Sequence, residues 1–325
     1  MNMPNLLKIM KNSDTITIGT RSSDLALWQT QWVADELRKL YPHISVDITK
    51  IKTTGDKILD APLSKIGDKG LFTKELEIAL LDHRVDLAVH SLKDVPTVVP
   101  EGLTLGAVCK REDVRDVFVV HPQKKYKNLS EVPNGGTIAT GSLRRKCQLL
   151  QRRPDLAIAD IRGNLATRTQ KLKESDWDGM LLAKAGLTRL GWSSMITEVL
   201  EPTFILPAVG QGALAIEIRA NDGDLARLLQ PLNHEHTMQA TAAERGLLRE
   251  LEGGCQIPIG TYGRIEKDIL KLDALVGSID GRRVVTGYID GSPSSAEELG
   301  ITLAKELLGK GAKEILDEIR LASDS

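Results

Sequence analysis

The feature that most constrains this chain is an apolar run that stops abruptly in charged residues, at positions 85–96. The start of this run is predicted to be a buried strand, and Pro96 cannot continue a central strand. In open α/β sheets, ligands bind beyond the carboxyl ends of the strands. Lys93 and Asp94 follow this strand end, so they are candidates for a base and an acid that face a substrate. The competing interpretation is that Asp94 caps a turn while Lys93 is solvated.

Length and composition indicate a protein of two or three domains with ordinary cores. The chain has 325 residues, of which 41% are hydrophobic and 27% charged. No apolar run approaches the roughly 20 residues that span a bilayer, and residues 1–14 do not have the pattern of a secretory signal. Lysine plus arginine (43) nearly balances aspartate plus glutamate (44), which argues against non-specific nucleic-acid binding. We therefore expect a cytoplasmic protein with neither a membrane nor a nucleic-acid partner.

The cysteines and histidines indicate neither a disulfide framework nor a metal site. Cys109, Cys147 and Cys255 are odd in number and lack CxxC spacing, which is typical of a reducing compartment. The stretch 234–236 reads His-Glu-His, but it lacks HExxH spacing and an accompanying ligand cluster. A polar helix start explains it, and we expect no bound metal.

Arginines recur where a predicted strand gives way to a helix. A β-branched strand at 15–18 leads to Arg21, and Ser22 or Ser23 is the predicted N-cap of the helix that follows. Free N–H groups at a helix start, together with a neighbouring guanidinium, favour a carboxylate or phosphate. The competing interpretation is a surface arginine at an ordinary cap.

The same device recurs later in the chain. The strand at 137–139 leads to Ser142 and a helix, and further junctions follow the strands at 156–161 and 180–183. The arginines at or near these junctions are Arg144, Arg145, Arg162, Arg168 and Arg189. Any one of them is most often a solvated helix residue, but their repetition favours a cleft that binds anions.

Two further stretches are interpreted as loops. Residues 63–70 contain two glycines and alternating charges, including Lys65 and Lys69, which predict a mobile polar loop that could serve as a lid and that lacks the P-loop order. The competing interpretation is a solvated loop. Phe72 follows it and precedes a helix. The Gly-Gln-Gly at 210–212 lacks the third glycine of a dinucleotide fingerprint, so we reject a nicotinamide site.

The alternation of strands and helices predicts a doubly wound α/β architecture followed by a small α+β C-terminal domain. A helix at 237–251 runs into Gly253, Gly254 and Cys255. A helix C-terminus does not stabilise a thiolate, so Cys255 is a poor candidate for a protease-like or redox cysteine. From the residues alone, Cys255 is more simply interpreted as a structural thiol.

Seven motifs together resemble the hydroxymethylbilane synthase (porphobilinogen deaminase) family. They are TRSS at 20–23 with LALWQ at 25–29, KGLF at 69–72, HSLKDVP at 90–96, SLRR at 142–145, RGN at 162–164, LPAVGQG at 206–212 and LEGGCQIPIG at 251–260. They occur in the family's order over nearly the whole chain, leaving out about the first 13 residues. Gly141 stands where the family usually has a serine, and Asp24 replaces a common proline.

The resemblance implies a fold of two doubly wound, type 2 periplasmic-binding-protein-like domains plus a small α+β domain. The expected segments are 14–112 (domain 1), 113–208 (domain 2), 209–232 (return to domain 1) and 233–325 (domain 3). It further implies a monomeric enzyme that condenses four porphobilinogens head to tail, with release of ammonia, into linear hydroxymethylbilane. Its dipyrromethane cofactor would be held in thioether linkage to Cys255.

The resemblance also assigns roles to residues. Asp94 would be catalytic, and the cofactor would be bound by Cys255, Lys93, Ser142, Arg144, Arg145 and Arg162. The substrate would meet Arg21, Ser23, Phe72, Arg168, Arg189, Lys65 and Lys69. Each pyrrole brings an acetate and a propionate, which suits many arginines in a protein of near-zero net charge. The rival hypothesis is a non-catalytic solute-binding module, because the same two-domain architecture also serves solute capture.

Overall fold

The computed structural model describes residues 15–57, 70–251 and 257–324. Its strands are β1 (Thr15–Thr20), β2 (Ser45–Lys50), β3 (Leu87–Ser91), β4 (Leu103–Val108), β5 (Asp116–Val120), β6 (Thr137–Ala139), β7 (Ala157–Ala159), β8 (Gly179–Ala183), β9 (Glu198–Leu200), β10 (Leu214–Arg219), β11 (Ile259–Glu266), β12 (Ile269–Gly277) and β13 (Val284–Gly291). Its α-helices are α1 (Asp24–Leu40), α2 (Thr54–Lys57), α3 (Lys74–Leu81), α4 (Leu143–Arg152), α5 (Leu165–Glu174), α6 (Lys184–Arg189), α7 (Gly223–Leu229), α8 (Glu235–Glu250), α9 (Ala296–Leu307) and α10 (Lys313–Asp324). None of the helices in these ranges is both long enough and apolar enough to cross a membrane.

The first of two compact units contains the described residues up to 111 together with 213–238. Its five-stranded sheet has the order β2-β1-β3-β10-β4, in which β10 runs antiparallel to both of its neighbours. One face of the sheet packs against α1 and α7 through residues such as Val33 and Leu229, and the other face packs against α3 through Leu76 and Leu80. Helices on both faces make this a doubly wound sheet.

The second unit contains residues 112–212 and 239–325. Its own five-stranded sheet has the order β7-β6-β8-β5-β9, with β5 antiparallel to β8 and β9. Leu149 of α4 packs on one face, while Leu172 of α5 and Leu187 of α6 pack on the other. In both units the reversed strand is the first one after the chain has entered from the other unit, as β5 after residue 112 and β10 after residue 213.

The C-terminal part of the second unit is a small α+β domain. Strands β11, β12 and β13 form an antiparallel meander, and α8, α9 and α10 share one apolar core with it. The predicted fold class of two doubly wound α/β sheets and a small α+β domain is therefore confirmed. The finer division into segments 14–112, 113–208, 209–232 and 233–325 stays a prediction. The sequence predicts strands at 15–18, 46–51, 85–89, 117–120, 137–139, 156–161, 180–183, 213–218, 270–276 and 284–289, and β4, β9 and β11 have no counterpart among them.

Helices α8 and α9 approach each other closely at glycines. A Cβ atom added at Gly300 would lie 2.0 Å from the carbonyl oxygen of Ala243, and one at Gly246 would lie 2.8 Å from that of Glu297. Both obstacles are backbone atoms, which a side-chain rotation cannot move. The spacing of α8 and α9 therefore depends on these two glycines.

We expect Gly300→Ala to destabilise the protein by about 1–3 kcal/mol, because the two helices must separate to admit the methyl group. Alanine's better helix propensity, worth about 1 kcal/mol, only partly offsets this cost. Urea unfolding measures the difference. Gly309→Ala is the matched control, since no atom lies within 4 Å of its added Cβ. Equal stability of the two variants would contradict the close approach of the helices.

Candidate active site

The first unit contains a pocket at the carboxyl end of β3. The predicted residues that line it are Arg21, Ser23, Phe72 and Asp94. Residues that the sequence analysis did not assign also line it, among them Gln29, His90 and Ser91. The pocket thus combines an acid, a guanidinium and an aromatic ring within one unit.

The start of α1 forms the cationic side of this pocket. Ser23, one of the two predicted candidates, is the N-cap, and its Oγ accepts a hydrogen bond from the Ala26 N–H at 3.4 Å. The guanidinium carbon of Arg21 lies 4.2 Å from the centre of the Phe72 ring, which is a cation–π distance. A ring that stacks on Arg21 limits the orientations of the guanidinium beside the helix N-terminus. The arrangement favours a planar, anionic ligand.

Asp94 lies in a short 3₁₀ turn, Leu92–Asp94, that follows β3 directly. It is partly buried in the pocket wall, whereas the neighbouring Lys93 side chain is exposed. Gln29 of α1 hydrogen-bonds Ser91 at the end of β3 with Nε2 donating to Oγ at 3.0 Å. This bond ties the strand end that carries Asp94 to the helix that follows Arg21.

Behind the pocket wall lies a buried polar cluster that the sequence analysis missed. His90 Nε2 lies 3.0 Å from Oε2 of Glu217 on β10, and both side chains are almost wholly buried. Glu77 of α3 lies near both, and burial, reinforced by the Glu217 charge, raises the pKa of the Glu77 carboxyl even though the Thr73 hydroxyl and His90 oppose the change. A glutamate inside the otherwise apolar stretch of β10 was the sequence signal for this cluster.

A second polar cluster is organised by Asp116 at the start of β5, in the second unit. Its Oδ2 accepts from Arg144 Nη1 and its Oδ1 from Arg145 Nη2, each at 2.7 Å. Gln211 Nε2 donates to the same Oδ1 at 2.8 Å. Burial alone would raise the pKa of the Asp116 carboxyl, but the two guanidinium charges and their hydrogen bonds outweigh it and hold the pKa well below its usual range.

The side chains of Arg144 and Arg145 are buried. Arg144 and Arg145 are 4% and 5% exposed, so the alternative that they are solvated helix residues is wrong. Arg144 Nη1 also donates to the Leu206 carbonyl at 2.6 Å, and Arg145 Nη1 donates to that of Leu181 at 3.0 Å. Burial lowers the pKa of Arg144, but a guanidinium keeps its charge in proteins.

Several guanidinium N–H groups of this unit have no acceptor among the described residues. The Nε atoms of Arg144 and Arg145 and the Nη1 atom of Arg162 are buried without a hydrogen-bond partner. An unsatisfied buried donor costs about 1–3 kcal/mol, and more when it is charged. Ligand carboxylates would satisfy such donors, so this residue set fits a dipyrromethane, whose pyrroles carry acetate and propionate groups.

The remaining predicted residues of the second unit are placed as follows. Ser142 caps α4 by accepting from the Arg145 N–H at 3.5 Å. Arg168 Nε donates to the Gly163 carbonyl at 2.8 Å. Arg189 is buried and donates to the Gly212 carbonyl at 2.6 Å. Arg168 and Arg189 thus hold loop carbonyls in this structure.

Three predicted residues, Lys65, Lys69 and Cys255, lie outside the described residues. The other two cysteines, Cys109 and Cys147, are buried. Burial, and secondarily the Asp280 charge, raises the pKa of Cys147 to about 12. Cys147 is therefore a thiol rather than a thiolate at neutral pH.

Two family models match this chain. Residues 16–227 match "Porphobilinogen deaminase, dipyromethane cofactor binding domain" and residues 238–309 match "Porphobilinogen deaminase, C-terminal domain". A porphobilinogen deaminase of Carboxydothermus hydrogenoformans is 53% identical over 305 residues, which cover 94% of this chain and 97% of that protein. One of Desulforamulus reducens is 50% identical over 305 residues, covering 94% and 98%.

Solved structures also resemble the chain at low identity. The methionine binding protein MetQ aligns with a TM-score of 0.43 and 12% identity, over 71% of this chain and 91% of that one. The family assignment rests instead on the model matches and on the two relatives. The chain belongs to the porphobilinogen deaminase family, whose enzymes use a dipyrromethane cofactor to condense porphobilinogen into hydroxymethylbilane for tetrapyrrole biosynthesis.

Proposed function

We propose that Asp94 is the acid–base residue of the condensation, acting in the pocket that it shares with Arg21 and Phe72. The reaction joins four porphobilinogens head to tail and releases an ammonia from each. That shared pocket is the observation that carries the proposal. The alternative of a non-catalytic solute-binding module is not retained, because the chain belongs to an enzyme family.

The chemistry requires a carboxylate at this position. Ammonia leaves porphobilinogen only from a protonated aminomethyl group, and its departure produces a cationic azafulvene. A carboxylate can move the proton and stabilise the positive charge that extends to the pyrrole N–H. Asp94, placed in a wall that is only partly open to solvent, can do both.

The arginines bind the carboxylates that accompany each pyrrole. In the first unit, Arg21 and the Ser23-capped start of α1 would hold a substrate carboxylate beside the Phe72 ring. In the second unit, the unsatisfied donors of Arg144, Arg145 and Arg162 would hold the cofactor. We assign supporting contacts with the cofactor to Lys93 and Ser142, and with the substrate to Lys65, Lys69, Arg168 and Arg189.

Cys255 is the proposed attachment point of the dipyrromethane, through a thioether. When bound, the cofactor supplies the free α-carbon on which the pyrrole chain grows. The burial of Cys109 and Cys147 supports this choice, because neither thiol is accessible to a pyrrole. A single addition at Cys255 needs access rather than an activated thiolate.

We further propose that the enzyme acts as a monomer in the cytoplasm. Both polar clusters are built from residues of one chain, and each lies within one unit. Buried cysteine thiols fit a reducing compartment.

Asp94→Asn keeps the side-chain shape but loses the proton and the charge. We expect a folded protein whose ammonia release falls by at least about a hundredfold. Asp82→Asn, which alters an exposed carboxylate paired with Arg84 in the same unit, is the control and should retain activity. Near-normal ammonia release by Asp94→Asn would remove Asp94 from the mechanism.

The intact mass of the active protein should exceed the mass calculated from its sequence by that of two pyrrole units. Peptide mapping should place the adduct on Cys255 and on neither Cys109 nor Cys147. Cys255→Ser should abolish the adduct and the activity together, and should lower the melting temperature because a bound cofactor stabilises only the native state. An active preparation with an unmodified Cys255 would contradict the anchor role.

A further inference from the structure

Residues 206–211, here called the connecting segment, contact the arginine helix α4 at their first residue. The Leu206 carbonyl accepts from Arg144 Nη1 at 2.6 Å and from Gln148 Nε2 at 3.1 Å. The Leu206 N–H in turn donates to Gln148 Oε1 at 2.8 Å. The position of this backbone therefore helps to determine where the Arg144 guanidinium lies.

The last residue of the connecting segment contacts the carboxylate that holds both arginines. Gln211 is 1% exposed, and its Nε2 donates to the Val114 carbonyl at 2.6 Å and to Asp116 Oδ1 at 2.8 Å. Asp116 Oδ1 is also the acceptor for Arg145. The connecting segment thus reaches the Asp116 cluster from both of its ends.

The C-terminal domain holds the middle of the connecting segment through a buried carboxylate. Glu244 of α8 is 0% exposed; its Oε2 accepts from the Gly210 N–H at 2.7 Å and its Oε1 from the Gly263 N–H of β11 at 2.8 Å. A second link joins the Thr261 N–H of β11 to the Pro207 carbonyl at 2.9 Å. Gly210 has φ +69°, a left-handed conformation that suits glycine and leaves its N–H available to Glu244.

The contacts form one continuous path of hydrogen bonds and peptide links from β11 and α8 through Gly210 and Gln211 to Asp116 and its arginines. Helix α8 ends at Glu250, and the proposed anchor Cys255 follows in the sequence. The helix that leads to the anchor therefore also determines the backbone on which the arginine cluster rests.

We propose that Glu244 is a positioning residue for cofactor binding: by clamping Gly210 against β11, it aligns the Asp116-bound arginines with the carboxylates of a dipyrromethane. The inference rests on the proposed cofactor role of Arg144, Arg145 and Cys255. Glu244 contacts neither substrate nor cofactor in this account. It acts through Gly210, Gln211 and Asp116.

The test is Glu244→Gln, which preserves shape while replacing one acceptor oxygen with an N–H₂ donor. One of the two backbone N–H groups then faces a donor instead of an acceptor. Cofactor-free protein is mixed with porphobilinogen, and the Cys255 adduct is followed by intact mass over time. We expect adduct formation about tenfold slower than in wild type, since a hydrogen bond to a charged group is lost. In protein that does load, KM for porphobilinogen should rise more than kcat falls.

Leu247→Ala is the matched control, because Leu247 lies on the same helix, is fully buried in the C-terminal core and makes no contact in this path. It should lower the melting temperature while the adduct forms at the wild-type rate. Gln211→Leu is the second variant, and it removes the hydrogen bond from Gln211 to Asp116. It tests the inference if Glu244→Gln does not fold. It should also slow adduct formation.

Wild-type adduct kinetics in Glu244→Gln or, if that variant does not fold, in Gln211→Leu would overturn the inference. The inference would also be overturned if Leu247→Ala slowed adduct formation in step with its loss of melting temperature. The slowing in Glu244→Gln would then reflect lost stability alone. A wild-type protein that never acquires mass on Cys255 would instead overturn the proposed anchor, and adduct mapping distinguishes that failure from this one.

Discussion

The structure of the second unit depends on one buried carboxylate, Asp116, that neutralises only part of the charge placed around it. Two guanidinium groups bind its two oxygens, so the pair of arginines retains one positive charge in excess. Burying such charges is costly unless every one is paired and hydrogen-bonded. Backbone carbonyls of Leu181 and Leu206 satisfy some of the donors, but neither Nε–H group has an acceptor in the part of the chain that the structure describes. An anionic ligand would complete this arrangement, which would explain how a protein of almost balanced charge binds a string of carboxylates.

We propose that the pocket of the first unit and the Asp116 cluster of the second unit divide the chemistry between them. The pocket of the first unit combines Asp94 with Arg21 and Phe72, so it can bind one pyrrole and move a proton. The Asp116 cluster has no free carboxylate of its own to act as a base, because both of its oxygens accept from arginines. We propose instead that it holds anions. Both the pocket and the Asp116 cluster lie beside the ends of central strands, where an open α/β sheet leaves a ligand crevice.

Features that depend on residues close together in the sequence could be predicted. Ser23 and Ser142 were recognisable as helix caps, and the break after β3 placed Asp94 at a strand end, because caps and strand terminators depend on neighbours in the sequence. The partners of the arginines were not predictable in this way. Asp116 lies 28 and 29 positions before Arg144 and Arg145, and Gln211 lies 95 positions after Asp116. Only the folded sheet brings these residues together, just as it pairs His90 with Glu217. Strand β11 was missed for a different reason. It forms a tight hairpin with β12 through Lys267 and Asp268, which both have positive φ, but Lys-Asp lacks the Asn-Gly or Asp-Gly signature of such a turn.

The most direct test of the central claim, that planar guanidinium forks anchored by Asp116 receive the cofactor carboxylates, is adduct formation in Arg144→Lys and Arg145→Lys. Lysine keeps the charge but replaces the planar fork with a single nitrogen, which cannot occupy the separate Nε and Nη positions of the guanidinium. Intact mass after exposure to porphobilinogen should show a reduced Cys255 adduct in both variants. The control Arg152→Lys, at the exposed end of the same helix, should load normally. Full loading and normal turnover in both Arg144→Lys and Arg145→Lys would contradict the account.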